Sequence, residues 1–373
     1  MRLLINTAST FKGGGVQVAK SFIEECKKKV QHDYYIVLGE NLAISIDTSD
    51  FPENFTFYNA PFRPATKVFS KSSHNYFLKE IEKEWKPDVV FTTSGPSYWR
   101  PKRKHVMGYN LPHYIYSDSP YFDIISLQSK FRWKFMKVIA KYFFKRDADV
   151  LVVQTDDVNK RVQKMLSKKD VYTVSNTISA HYLNPLEKAL KLPVKEEKQF
   201  RLLTLSAWYP HKNIGIILKV LDVLIEKGYT NIIFVVTLPK DAENFLRGEK
   251  YKEQLINIGP VKVEDGASLY EECDAMFLPT LLECFSASYA EAMQTKKPII
   301  TSDMGFAHTV CKEAAIYVNP IDANDIASKI ITLYESTELQ QDLVSKGIKR
   351  LETFGTSQDR ANRYIEICEA LVK

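Results

Sequence analysis

Residues 275–303 read AMFLPTLLECFSASYAEAMQTKKPIITSD, and this stretch decides the fold. Its first six residues are an apolar run of strand length, its last six are another, and helical periodicity lies between. Strand, helix, strand at that spacing is the crossover unit that joins parallel strands, which no tight turn can link. The same stretch sets two carboxylates eight positions apart. Glu283 follows the first strand, at the lip of the sheet, and Glu291 lies within the helical pattern.

The alternation extends outward through the chain. Upstream, RLLINTA, YYIVLGE, FTFYNA, DVVFTTS, HVMGYN, VLVVQT and VYTVSN read as strands separated by helix-period segments. A second series follows in FRLLTLS, NIIFVVT, QLINIGP, AMFLPT, PIITSD and AIYVNP. The fold class is therefore α/β, with two tandem Rossmann-like doubly wound domains. The charged, Pro-containing segment NPLEKALKLPVKEEKQ separates the two series and reads as the linker. We place the first domain at 1–182 and the second at 183–355. An amphipathic C-terminal helix follows at 356–373, free to pack on either domain, a return to the first being one option. Ligands of such sheets bind beyond the carboxyl ends of the strands, so two facing domains predict an interdomain cleft.

Composition narrows the function. A chain of 373 residues exceeds what one core usually spans, in keeping with two domains. The opening apolar run is too short for a signal peptide and reaches glycines instead of a cleavage site. No stretch approaches the length of a membrane span. Five scattered cysteines, odd in number and without C-x-x-C pairs, argue for thiols in a reducing compartment and against structural zinc. The expected location is the cytoplasm. A net charge of +6 suits an anionic ligand or an anionic membrane, and no nucleic-acid-binding signature is present.

The two glutamates admit two readings. Ser288 as an N-cap with Glu291 three residues later would be a capping box, with no chemistry. Alternatively, a carboxylate at a strand end accepts hydrogen bonds from sugar hydroxyls, and the amides of the following helix start hold a phosphate. Together these groups suit a nucleotide sugar lying across the helix N-terminus.

This motif, P-T-x-x-E-C-F-S-A-S-Y-A-E-A-M with its E-x7-E, resembles the donor site of retaining glycosyltransferases of the GT-B fold, family 4, the glycosyl transferases group 1. TLSAWYPHKNIGIILKVLDVL is similar to that family's phosphate-binding segment, and LYEECDAMFLPT to the segment leading into E-x7-E. PIITSDMGFAHTVCKEAAIYVNPIDANDIASKI resembles the stretch that follows, and TASTFKGGGVQVAKSFIE the glycine-rich first loop. The resemblance implies that Glu283 binds hydroxyls of the transferred sugar, Glu291 the ribose, and Lys212 the leaving diphosphate. It also implies that the amides of Phe285, Ser286 and Ala287 cradle the distal phosphate. Gly13, Gly14 and Gly15 would let the first loop approach the donor, the alternative being a plain strand-to-helix turn. Asn110 and His113, in HVMGYNLPHYIYSD, fall where the family places a polar residue near the reacting carbon. A packed loop histidine is the competing reading of His113. The loops between 237 and 270 are where the base would be read, and no side chain there is diagnostic.

The sequence departs from the family's pattern. Ala207 stands where an arginine is usual, five residues before Lys212; His211 is a candidate for the missing cation. Cys284 and Ser286 replace glycines, Ser288 a proline, and Thr309 an acid.

Two further signals need weighing. Asp147-Ala148-Asp149 has the D-x-D form of a metal-binding motif from a different glycosyltransferase fold, but helix-end and turn roles explain it better. No metal is expected. Residues 129–147 carry Lys130, Lys134, Lys137, Lys141 and Lys145 along one helical stripe, beside Phe131, Phe135, Val138 and Tyr142. A core helix with a solvated cationic face is the first reading; the second is a helix lying on the anionic inner face of the plasma membrane.

The resemblance implies a retaining, metal-independent hexosyltransferase. Its co-substrate would be a UDP or GDP sugar, with no other cofactor. The acceptor would be a glycan or lipid-linked sugar in bacterial surface polysaccharide (capsule, O-antigen or lipopolysaccharide) biosynthesis. A nucleotide-sugar epimerase of the same fold, or a degenerate sugar-nucleotide-binding protein, are the alternatives.

Overall fold

The computed structural model describes residues 1–11, 13–67, 76–184, 192–240, 242 and 249–373. The linker proposed from sequence at 184–199 falls partly outside these, at 185–191, and the base-reading loops do so at 241 and 243–248.

All thirteen strand candidates are strands. Arg2–Asn6 (β1), Asp33–Leu38 (β2), Phe55–Asn59 (β3), Val89–Thr92 (β4), Lys104–Gly108 (β5), Val150–Val153 (β6) and Val171–Thr173 (β7) form one sheet. Phe200–Thr204 (β8), Ile232–Val236 (β9), Leu255–Asn257 (β10), Ala275–Leu278 (β11), Ile299–Ser302 (β12) and Ile316–Val318 (β13) form the other. The orders are β3-β2-β1-β4-β5-β6-β7 and β10-β9-β8-β11-β12-β13. Every pairing is parallel, for example Leu3 opposite Val89 and Met276 opposite Ile299. The central strands VVFT, IIFVV and AMFL are buried at every position, as strands covered on both faces must be. In each sheet the order turns at an inner pair, β1 beside β4 and β8 beside β11. Loops from those four strand ends are where ligand groups gather in doubly wound sheets.

The helices used below are Gly14–Cys26 (α1), Leu127–Asp147 (α2), Asp156–Leu166 (α3), Ile216–Glu226 (α4), Ala287–Gln294 (α5), Ala323–Glu335 (α6) and Ser357–Ala370 (α7). The chain forms two compact units. The first comprises Met1–Ser117, Ser126–Thr177 and Gly355–Lys373; the second comprises Asp118–Ile125 and Ile178–Phe354.

In the first unit, α7 completes the core around β1 and α1. It opens on a capping box between Thr356 and Asp359. Tyr364 then meets Phe22 edge to face at 5.2 Å, and the buried Arg360 binds Ser21 Oγ at 2.9 Å and Asn176 Oδ1. Thr155 caps α3 by accepting from the Val158 amide. The D-x-D residues have structural partners. Asp149 accepts from Arg100 at 2.8 Å and from the His105 amide at 2.9 Å, and Asp147, at the end of α2, pairs with Arg146.

Helix α2 differs from the core helix that its broad apolar arc suggests. It buries Ala140, Phe143, Phe144 and Asp147, all near its C-terminal end. Leu127, Phe131, Phe135, Val138 and Tyr142 are between 58% and 72% exposed. The last four recur at helical spacing and make one stripe, which packing of the C-terminal end alone leaves uncovered.

In the second unit, α4 and α6 cover one face of the sheet and contribute Ile217, Val220, Leu221, Leu224, Ile326 and Ile330 to its core. Burying each such side chain contributes roughly 1.5–3 kcal/mol.

Candidate functional site

The site is assembled from the loops after β8 and β11, the strands beside the reversal in the second sheet. After β8, YPHKN forms a single tight turn, Pro210–Lys212, with proline at its first position. Asn213 closes the turn in the left-handed region (φ 54°), which asparagine tolerates, and its amide binds the Pro320 carbonyl at 2.6 Å. After β11, Thr280, Leu281 and Leu282 are fully buried and lead into Glu283.

Lys212 and Glu283 meet as an ion pair. Their side chains are 16% and 12% exposed, so the pair is sheltered yet reachable. Thr280 Oγ1 lies 3.4 Å from the same carboxylate oxygen and 3.2 Å from the His211 carbonyl. The Leu281 amide also donates to the His211 carbonyl, at 2.7 Å. A third segment of this unit, Asp118–Ile125, joins the two loops. The buried Ser119 hydroxyl donates to the Leu281 carbonyl at 2.7 Å, and the Tyr121 ring stands edge-on to His211. Both polar groups of Leu281 are thus used in holding the Lys212 turn and the Glu283 loop together.

His211 lies beside Lys212, with its ring stacked on Tyr209 at 5.6 Å. Burial and the neighbouring ammonium lower its pKa to about 4. Both effects favour the uncharged imidazole over the cation that would replace the arginine missing at Ala207.

Helix α5 begins four residues after Glu283. Its first residue is Ala287 and its N-cap is Ser286, whose side chain makes no capping hydrogen bond. The capping-box reading therefore fails: Ser288 lies inside the helix, and its carbonyl accepts from Tyr270 Oη at 3.3 Å. Phe285 packs edge-on against Phe354. Tyr289 anchors the helix through a hydrogen bond to Thr301 Oγ1 at 2.9 Å, which in turn binds the Leu278 carbonyl of β11. Glu291 is buried on the inner face of α5. Its carboxylate accepts a hydrogen bond from Tyr182, and desolvation raises its pKa to about 7.

The second unit therefore brings Lys212, His211, Glu283, Phe285, Ser286, Ala287 and Glu291 onto neighbouring loops and one helix. Gly13, Gly14, Gly15, Asn110 and His113 belong to the first unit. There the Asn110 amide binds Ser94 Oγ at 2.7 Å, and a Cβ on Gly15 would stand 3.6 Å from the same amide nitrogen. His113 lies flat on Trp133, with centroids 4.2 Å apart. Gly13 has a φ of +65°, so turn geometry accounts for this glycine. Cβ atoms on Gly13 and Gly14 would meet no atom within 4 Å among the described residues.

Ser119, Tyr121 and Tyr182 escaped the sequence reading. Ser119 and Tyr121 are distant in sequence from the loops they hold, and Tyr182 reaches Glu291 only through the tertiary fold. A local signal existed only for Gly266, inside the helical pattern GASLYEE: a Cβ there would stand 2.1 Å from Tyr182 Oη.

Two parallel α/β sheets, each reversing strand order at an inner pair, make a GT-B-like fold that matches the solved structures below. Residues 187–350, most of the second unit, match the family of glycosyl transferases group 1. Over 139 residues the chain is 28% identical to the O-antigen chain mannosyltransferase RfbU of Salmonella typhimurium, covering 36% of this chain and 39% of that protein. Over 222 residues it is 26% identical to the capsular polysaccharide biosynthesis glycosyltransferase CapM of Staphylococcus aureus, covering 56% and 58%. The matches thus span less than two thirds of either relative. Among solved structures, sucrose-phosphate synthase from Thermosynechococcus elongatus superposes with a TM-score of 0.78 at 13% identity, covering 99% of this chain and 98% of that one. Anabaena HepE in complex with UDP and glucose gives a TM-score of 0.69 at 13% identity, covering 99% and 100%.

Proposed function

We propose that this protein is a retaining glycosyltransferase that moves a hexosyl unit from a nucleotide-diphosphate sugar to a glycan or lipid-linked acceptor. The observation that carries the proposal is the sheltered pair of Lys212 and Glu283 at the start of α5. In the proposed complex the diphosphate takes Lys212 from Glu283, which frees the carboxylate to accept hydrogen bonds from hydroxyls of the transferred sugar. Lys212 then faces charge that develops on the leaving diphosphate, where a preorganised cation lowers the barrier. Amides of Phe285, Ser286 and Ala287, at the positive end of α5, hold the distal phosphate. Glu291 takes the ribose. UDP is the favoured nucleotide, because the HepE structure carries it. Asn110 and His113 are proposed to serve the acceptor side, and Gly13 to Gly15 to admit the donor.

The two polysaccharide-related relatives support a role in surface-polysaccharide assembly. The exposed stripe of α2, flanked by lysines, supports contact with an anionic membrane, in keeping with a lipid-linked acceptor and a place at the inner face of the plasma membrane.

The test is product analysis after incubation with UDP and GDP sugars, with and without oligosaccharide and lipid-linked acceptors. The proposal expects acceptor-dependent transfer with the donor's anomeric configuration kept, as read by NMR. A changed sugar without acceptor would identify an epimerase, and binding without turnover across the panel a sugar-nucleotide-binding protein.

A further inference from the structure

Glu291 is held by a residue outside the motif that contains it. Tyr182 lies in the short turn Ala180–Tyr182 at the start of the second unit, is 3% exposed, and hydrogen-bonds the Glu291 carboxylate. A phenol has one proton to give, and here a carboxylate is the acceptor. The turn packs against the helix Gly266–Glu271. There Gly266 leaves the space that the phenol occupies: a Cβ would stand 2.1 Å from Tyr182 Oη and 3.0 Å from Cζ. Tyr270, from the same helix, crosses the Tyr182 ring at 6.1 Å, with its own hydroxyl on the Ser288 carbonyl. The titratable groups facing Glu291 from these packed elements are Tyr182 and Tyr270.

We propose that Tyr182 is a positioning residue for Glu291, fixing the orientation and charge of the carboxylate that meets the nucleoside, with Gly266 as the space that admits it. The proposal rests on the reading of Glu291 as a nucleoside-binding group. Burial disfavours the carboxylate anion, and the phenol's hydrogen bond opposes that effect. Without the bond, the anion would form only at higher pH, and the side chain would lose its fixed direction. Nucleotide affinity would then become more pH-dependent through neutrality.

The experiment follows two readouts in the wild type, Tyr182→Phe, Gly266→Ala and Glu291→Gln. Titration of carbon-13-labelled glutamate side chains by NMR, with the Glu291 signal assigned by its loss in Glu291→Gln, gives the carboxyl midpoint directly. Calorimetric binding of UDP and of GDP between pH 5.5 and 8.5 gives affinity. Tyr182→Phe keeps the ring and removes only the hydroxyl, so loss of one charge-assisted hydrogen bond should raise the midpoint by about one pH unit. Affinity at pH 7 for the nucleotide that the wild type binds should fall about tenfold and recover partly at high pH. Gly266→Ala, which displaces the phenol from the other side, should move both readouts the same way. An unmoved midpoint in Tyr182→Phe overturns the proposal, as does a raised midpoint with unchanged affinity. If Glu291→Gln binds nucleotide as well as the wild type, or the wild type binds neither, the failure lies in the nucleoside reading of Glu291, and the proposal falls with it.

Discussion

The ammonium of Lys212 and the carboxylate of Glu283, 71 residues apart in sequence, pair across the loops that follow β8 and β11, neighbouring strands of one sheet. Each charge is satisfied by the other. A diphosphate offers Lys212 more negative charge than one carboxylate, and sugar hydroxyls offer Glu283 donors in return. Removing one partner leaves the other sheltered and uncompensated. Lys212→Met should therefore weaken UDP-sugar binding by about 2 kcal/mol or more, roughly 30-fold, and lower kcat by about 100-fold or more. Calorimetry and initial rates check this.

Ser119 reaches the same site through the backbone of Leu281. In Ser119→Ala the buried Leu281 carbonyl loses its donor, at a cost of about 1–3 kcal/mol. Thermal unfolding should show a Tm lower by about 2–10 °C. Ser119→Thr retains a hydroxyl and should recover most of the loss.

His105 sets a pH dependence in the first unit. It is fully buried between Thr92 Oγ1 and the Asp147 carbonyl, each 2.8 Å from a ring nitrogen, and desolvation holds its pKa at about 4. An unfolded histidine takes its proton near pH 6.5. Between these values the unfolded chain binds more protons than the folded one, so stability falls as pH drops through that window. The full contribution of His105 is roughly 3 kcal/mol. Urea unfolding at pH 7 and pH 5 should show a smaller difference for His105→Gln than for the wild type. His211 acts with the same sign in the second unit.

The exposed stripe on α2 predicts sedimentation with anionic vesicles and not with neutral ones. Replacing Lys134 and Lys141 by alanine should weaken it by about 2 kcal/mol, roughly 30-fold. Phe131→Ser with Phe135→Ser should weaken it as well, through lost apolar burial. Sedimentation of the wild type with neither kind of vesicle would remove the membrane from the account, and equal sedimentation with both would remove the preference for anionic lipid.

How much of this was legible in the sequence follows the range of the forces involved. Apolar runs such as VVFT and IIFVV announce buried parallel strands, because both faces of the strand must be covered. Glu283 stands out in the sequence by its place just after a strand and Lys212 only through the family resemblance of its segment; that the two side chains pair is in neither reading. The start of α5 was not: Ser288 looks like a cap by type, yet the helix begins at Ala287, and burial of Tyr289, Ala290 and Glu291 sets its facing. The charge of His211 depends on burial beside Lys212, which no local pattern encodes. For α2 the apolar arc was visible, but whether it meets protein or solvent depends on which end packs. Tyr182 and Ser119 act across long sequence separations and leave no periodic trace.

The central claim is that Glu283 and Lys212 form a sugar-nucleotide site, and calorimetric titration with UDP and GDP sugars, on wild type and Glu283→Ala, tests it most directly. The account predicts saturable binding of one sugar nucleotide to the wild type, weakened at least tenfold in the variant through loss of charge-assisted hydrogen bonds. Binding to neither protein, or equal binding to both, would contradict it and leave the pair an ordinary ion pair at a strand end.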